Sequence, residues 1–591
     1  MNKLKNILML SVASMLILSS CKDTWLDINE DPNTPSNTVA SVKGRLAWVQ
    51  HHYLYAQGTA GVRAATVTQQ VTFISSTAQQ SMSAGWNPIA GMSTTPYQWW
   101  FVTAAANLED LEAKAEKEEA YHYIGAARAI RAMGYMLMTD WYGEMPYTEA
   151  VSSAITPKFD DGKTIFEGCL ADIDKAIEYF KMSQPASATP LAAGDSWNKG
   201  DVNKWLKLCY GLKARWLNNL SKKSGLYKPD EILAILAQAP QAVGESTVII
   251  HEDVPSDNVG DVLFGDPLKA SIVFDNLGMN SNFRLTKWYV DMLTNFDNQG
   301  VEDPRADKLL PWAEFGNPKK FVRTQGVDMQ STIRMESGPI SPSYNASDNA
   351  IQNNGRTIPA KSWYINNANT KRWGDTVYVP LRSSSLGYNK DVTDIYKWPD
   401  GTVAASGTFY SRPDAPTHLL TYPEMCFIKA EILFNKGDKS GAFAAYRDGI
   451  KAHIDLMNDK LVTYGNVNVS KSPMDQAKIN AFMEKGIGTA ADITLGKIMM
   501  QKFIALSYSQ QNWNDMRRYD YSTVAYPGWA IPYEYTVTAA AQTKIPLGKQ
   551  FRRVRQVSHE INYNAENLKA SHPSALSDDV WSYPVWWDIK E

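Results

Sequence analysis

Thr421-Tyr422-Pro423-Glu424-Met425-Cys426-Phe427-Ile428 opens the helix whose reading decides the fold class. Thr and Glu three apart form a capping box, and proline falls in the first turn, where its missing amide costs least. Met425, Ile428 and Ile432 then recur at the spacing of one helical face. That stripe runs to Gly437-Asp438, and a partner helix follows with Phe443, Tyr446, Ile450 and Ile454. Two amphipathic helices joined by a glycine turn within about 34 residues must bury their stripes against each other and against further helices.

The same pattern fills the first part of the chain. Tyr123, Ala127, Ile130, Gly134 and Leu137 share one face, and Ala126, Ala129 and Ala132 keep that helix slim for close packing. A capping box at Thr164-Ile165-Phe166-Glu167 starts a second helix with the stripe Leu170, Ile173, Ile177 and Phe180. A third carries Trp205, Leu208, Leu212, Trp216 and Leu220. A later helix, roughly 492–510, leads to Trp513-Asn514-Asp515-Met516-Arg517-Arg518. The fold class is therefore mostly α, with tetratricopeptide-like helix pairs. The scaffold is expected over about 38–243 and 417–520, with a C-terminal segment over 521–591. Between them, 244–416 reads as a large irregular, loop-rich region with little strand. Ser246 to Ile250 and Thr376 to Pro380 are β-prone, and one helix is expected near Leu285 to Leu293. Trp312, Trp363, Trp373 and Trp398 argue against disorder in this region.

The N-terminus carries an export signal. Lys3 and Lys5 precede an apolar run from Ile7 to Leu18, well short of the ~20 residues a spanning helix needs. Leu18-Ser19-Ser20-Cys21 reads as a lipobox, so residues 1–20 form a signal peptide and Cys21 carries the lipid. Residues 21–37 form a proline-containing tether. Asp27, Asn29, Asp31 and Asn33 alternate as in a calcium loop, but Pro32 and Thr38 stand where an EF-hand needs Gly and Glu.

Composition narrows the function. A formal net charge of -3 gives no basic field for nucleic acid and no polybasic stripe for anionic lipid, so membrane attachment falls to Cys21. Cys169, Cys209 and Cys426 lie on helical patterns and read as buried thiols. No cofactor or metal site is expected. His51-His52 should point apart, and no HExxH, GxSxG or phosphate-cradling glycine loop occurs. Arg128 and Arg131 read as structural ion-pair nodes, as do Trp513, Asp515, Arg517 and Arg518, so no catalytic residue is assigned.

In this setting the chain resembles the SusD/RagB family of nutrient-binding outer-membrane lipoproteins. Behind the lipobox, Asp27 to Ser36 is similar to the family's Asn/Asp-Pro opening. Arg128-Ala129-Ile130-Arg131-Ala132-Met133-Gly134-Tyr135 and Trp141-Tyr142-Gly143-Glu144-Met145-Pro146-Tyr147 resemble its Arg-Ala-Tyr helix and Tyr-Gly-x-x-Pro exit. Asp201-Val202-Asn203-Lys204-Trp205, Tyr422-Pro423-Glu424 through Ala430-Glu431, Trp513 to Arg518, and Glu560-Ile561-Asn562-Tyr563-Asn564 follow in the family's order. The resemblance implies a helical lid, lipid-anchored at the cell surface, over a TonB-dependent, SusC-like barrel transporter. Such a lid captures a nutrient and passes it down. Lys22-Asp23 resembles part of the surface-export signal of these bacteria.

The expected ligand contacts are aromatic. Trp205, Trp216 and Trp288 lie on helical stripes and read as core. Trp86, Trp99, Trp100, Trp363, Tyr364 and Trp373 lie among Gly, Asn and Thr, where an indole can stack on a sugar ring while amides reach its hydroxyls. These residues are expected to form one exposed platform. The alternative is that each pins its own loop. The expected function is delivery of an oligosaccharide to the barrel. Peptide capture, as RagB-like members are thought to do, is the alternative within the family. An α-helical glycoside hydrolase with paired carboxylates is the alternative of another class.

Overall fold

The computed structural model describes residues 40–73, 83–251, 283–315, 320–330, 409–410, 415–464 and 473–591, with short strands between 343 and 405. Cys21, the tether, Thr376 to Pro380 and Trp398 lie outside the described residues.

The fold is mostly helical, as expected. Val42–Val67 is buried along most of its length and packs against Gly91–Tyr97, Tyr121–Tyr142 and Gln511–Arg518. Two helix pairs follow it in sequence. Tyr121–Tyr142 lies against Gly162–Lys181, and Tyr422–Asn435 against Lys439–Tyr464. The turn of the second pair places Gly437 at φ +86, a left-handed conformation that glycine adopts without a Cβ penalty.

Both capping boxes are corrected. The Gly162–Lys181 helix is capped by Asp161, which accepts from the amides of Lys163 and Thr164, so Thr164 lies inside the first turn. Thr421 occupies the cap position of its helix but makes no side-chain cap bond there. Its partner Glu424 instead accepts two hydrogen bonds from Arg215, each 2.6 Å. A guanidinium fork binds a carboxylate more strongly than a backbone amide does.

The arginine nodes are structural. Arg518 bridges Glu431 (2.8 Å) and Asp515 (2.6 Å), with Lys502 at 2.9 Å from Asp515, all buried. Arg517 lies between the indoles of Trp513 and Trp587, 4.1 and 4.8 Å from their centroids. Arg128 and Arg131 both bind Asp172. Cys169, Cys209 and Cys426 are buried free thiols.

The two histidines do not point apart. The rings of His51 and His52 meet edge to face at 4.9 Å, inside a shell that includes Tyr55 and Trp99. Both residues are buried, so both rings turn into the same aromatic shell.

In the irregular region, short antiparallel pairings tie distant segments. Val71–Phe73 pairs with Phe283–Leu285, and Thr247–Ile249 with Thr417–Leu420. The expected helix is Lys287–Thr294, capped by the Thr286 hydroxyl, which accepts from the Tyr289 amide.

Candidate functional site

The expected aromatic platform does not survive in its early half. Trp86 is fully buried, donates from its indole to the Val67 carbonyl (3.0 Å), and is ringed by Tyr521, Trp529, Tyr535 and Phe551. Trp100 is also fully buried, and the stretch Gln98–Ala104 around it is a π-helix rather than a loop. Its ring lies on Gly134, where an added Cβ would come within 2.1 Å of it. The glycine on the predicted stripe is therefore the seat of this tryptophan. Neither indole has a face left for a ligand. The physical reason is the large apolar area of an indole, which the core captures whenever the backbone passes close enough. Trp99 is half-buried against Tyr55 (5.0 Å) and His52 (5.5 Å). In the late half, Trp363 pairs in register with Trp373, and Tyr364 with Arg372, across a short antiparallel hairpin. Their side chains lie outside the described residues.

A different tryptophan lines a well-formed cavity. Trp288, expected in the core, is half-buried at the wall of a pocket of about 310 Å³. The eight-residue helix Lys287–Thr294 brings Trp288 and Asp291, one turn apart, to this pocket. The chain then turns through Asp297 (φ 51), Asn298 (φ 55) and Gly300 (φ 68), left-handed positions that Asn, Asp and Gly tolerate best. Asn295 holds the turn, donating to the Asn298 side chain (3.1 Å) and accepting from the Gly300 amide (3.3 Å).

The segment Pro527 to Ala530 forms the adjoining wall. The Trp288 indole donates to the Pro527 carbonyl (2.9 Å), while its ring meets Phe503 edge to face at 5.0 Å. These contacts fix the indole before any ligand arrives. Gln69 and Gln330 both donate to the Ala530 carbonyl, at 2.7 and 2.9 Å. Asp328 accepts from the Gln330 amide (2.9 Å). Lys497 is nearly buried and bound to Asp297 (2.9 Å) and Asp492 (3.4 Å). Met292, Met329 and Met500 supply the apolar lining. One indole, several side-chain amides and carboxylates, and a thioether surface suit a hydroxyl-rich ligand with an apolar face. Sequence reasoning missed this site because Trp288 lies on an apolar stripe. The available signal was a helix isolated in polar sequence and followed by Asp297-Asn298-Gln299-Gly300.

A second cavity, of about 50 Å³, surrounds Asp140 and Arg215. Asp140 accepts from the Trp587 indole and from Asn514, both at 2.7 Å. Burial pushes its carboxyl up to about 6, against the pull of Arg517. The space there admits water rather than a nutrient. Among the described residues, no cluster of His, Cys, Asp and Glu is arranged to hold a metal ion.

A family model described as "Starch-binding associating with outer membrane" matches residues 49–535, a span that contains every residue of the Trp288 pocket. The chain belongs to the SusD-like family. Solved structures agree with this SusD-like fold. A Bacteroidetes SusD-like protein aligns with a TM-score of 0.62 and 18% identity, covering 93% of this chain and 100% of its own. A SusD/RagB family protein from Bacteroides thetaiotaomicron gives 0.59 and 18%, with the same coverage. A chitin-binding SusD homolog from Flavobacterium johnsoniae gives 0.58 and 15%, covering 93% and 99%. At these identities the likeness speaks for the fold. No curated protein matches the chain by sequence.

Proposed function

We propose that this SusD-like protein is a surface-exposed lipoprotein that captures a nutrient glycan and hands it to a TonB-dependent outer-membrane barrel. It does so as a binding protein, without an enzymatic step. The Trp288 pocket is the observation that carries the reading, because it joins a fixed indole to converging hydroxyl-binding groups. The starch-binding description of the family and the chitin-binding description of the Flavobacterium homolog support a glycan over a peptide. In this reading residues 1–20 are the signal peptide, Cys21 is lipidated, 21–37 is the tether and 38–591 is the body. Several acyl chains on Cys21 supply a stable anchor. Trp363, Tyr364 and Trp373 are retained as further stacking candidates, with Trp99 as a peripheral one.

Titration of the full-length protein in detergent micelles against a glycan and peptide panel tests the reading. A saturable glycan ligand is expected, with Trp288→Ala weakening it by about 1–3 kcal/mol, roughly 5- to 150-fold. Binding of peptides and of no glycan would overturn the glycan assignment.

A further inference from the structure

We infer that the Trp288 pocket selects uncharged saccharide units and rejects acidic ones such as uronates and sulfated sugars. The inference rests on the glycan reading and narrows it to a substrate class. Five ionisable side chains line the cavity: Lys287, Asp291, Asp297, Asp328 and Lys497. Three are carboxylates and two are ammoniums, so the lining carries a negative excess. Both ammoniums are already committed. Lys287 pairs with Asp291 on the same helix, and Lys497 is held between Asp297 and Asp492. Asp328 has no basic partner among the described residues, and its described hydrogen bond comes from the Gln330 amide.

An entering sugar therefore meets acceptors in excess of donors. A neutral sugar satisfies them, because a hydroxyl donates a charge-assisted hydrogen bond to a carboxylate. A uronate replaces one hydroxymethyl donor with a second negative charge. A sulfate ester replaces a hydroxyl donor in the same way. Neither finds a free cation, and each must approach Asp328 in a cleft where the repulsion is less screened than in bulk water. Recruiting either lysine strips Asp291 or Asp297 of its counter-ion, so no net positive charge is gained. Selectivity thus comes from repulsion built into the wall, while Trp288 and the amides supply attraction. At about 310 Å³ the cavity lies at the small end for ligand sites, so it suits a short saccharide segment.

The test uses the full-length protein in detergent micelles on a panel pairing neutral glycans with acidic counterparts. Malto- and N-acetylchito-oligosaccharides represent the neutral set. Oligogalacturonides, with and without methyl esters, keep the same sugar backbone and linkage and differ in charge at the carboxyl group. At low salt, neutral or esterified members are expected to bind at least tenfold more tightly than acidic ones. Asp328→Asn should raise the acidic-to-neutral affinity ratio severalfold, and 0.5 M salt should raise it in the wild type. Thermal melting of each variant establishes that it is folded. Acidic glycans binding as tightly as neutral ones, with Trp288→Ala abolishing both, would overturn the selectivity while leaving the glycan function intact. A ratio unmoved by Asp328→Asn and by salt would do the same. Glycan binding indifferent to Trp288→Ala would remove the pocket from the function. Binding of no glycan at all would defeat the parent reading.

Discussion

Trp86 and Trp288 border the same short segment, Tyr526 to Ala530, and meet opposite fates. Trp86 packs against the Trp529 ring at 5.6 Å, while Trp288 donates to the Pro527 carbonyl next door. Both indoles satisfy their N–H on a backbone carbonyl, so hydrogen bonding does not separate them. Coverage does. Four aromatic rings enclose Trp86, whereas Trp288 meets Phe503 and lines a cavity. One side of the segment is core and the other borders an open cavity. A tryptophan's role is set by what closes over it, not by whether its flanks are polar.

Truncation on the two sides should separate stability from binding. Trp86→Ala opens a large void and is expected to cost about 3–5 kcal/mol in urea unfolding. An effect within about 0.5 kcal/mol, as for an exposed platform residue, would break the comparison. Trp288→Ala should cost markedly less stability while carrying most of the binding loss.

The helices were legible because their stripes repeat over several turns. Gly134 was legible as a close-packing position, but its guest was not: Trp100 arrives from a π-helical stretch more than thirty residues earlier. A capping box is a local match, and it cannot register a stronger competitor such as Asp161 or Arg215. The Trp288 pocket was illegible for a related reason. Its walls come from Gln69, Thr286 to Asn298, Asp328 to Gln330, Thr494 to Met500 and Pro527 to Ala530, and no short window of sequence contains that convergence. The apolar stripe of Lys287–Thr294 is real, yet an eight-residue helix at a cavity wall leaves one large side chain half covered.

A pH scan sharpens the contrast between buried shell and open pocket. Burial lowers His51 to about 3 and His52 to about 4, from an ordinary value near 6.5. The unfolded chain therefore takes up protons below pH ~6.5 that the fold refuses, and stability falls as pH drops from there toward 4. At pH 5 each histidine should cost about 2 kcal/mol relative to pH 7. Asp140 works the other way. Its carboxyl, raised to about 6, carries a burial penalty that is full above pH 6 and relaxes on acidification, returning about 1.4 kcal/mol at pH 5. The histidines should dominate. Urea midpoints at pH 7 and 5 are expected to fall in the wild type and to fall less in the His51→Gln/His52→Gln variant. Equal slopes in both would remove the histidine shell as the cause.

Lys287→Ala carries the smallest expected stability effect and probes the pocket side most cleanly. Lys287 and Asp291 are 52% and 54% exposed and pair one turn apart at the mouth of the pocket. Exposed helical pairs of this spacing contribute about 0.2–0.5 kcal/mol, and lysine ahead of the acid is the weaker order. Unfolding free energy should therefore change by no more than about 0.5 kcal/mol. The ligand consequence is larger, because removing the ammonium leaves Asp291 without its counter-ion and deepens the negative field. Acidic glycans should lose a further severalfold in affinity relative to neutral ones, opposite in sign to Asp328→Asn. On the Trp86 side a substitution changes stability first. Here one should alter selectivity with almost no cost in stability, as expected of a wall that faces a ligand. A loss above about 1 kcal/mol in stability with an unchanged affinity ratio would instead make Lys287 part of the helix's own support.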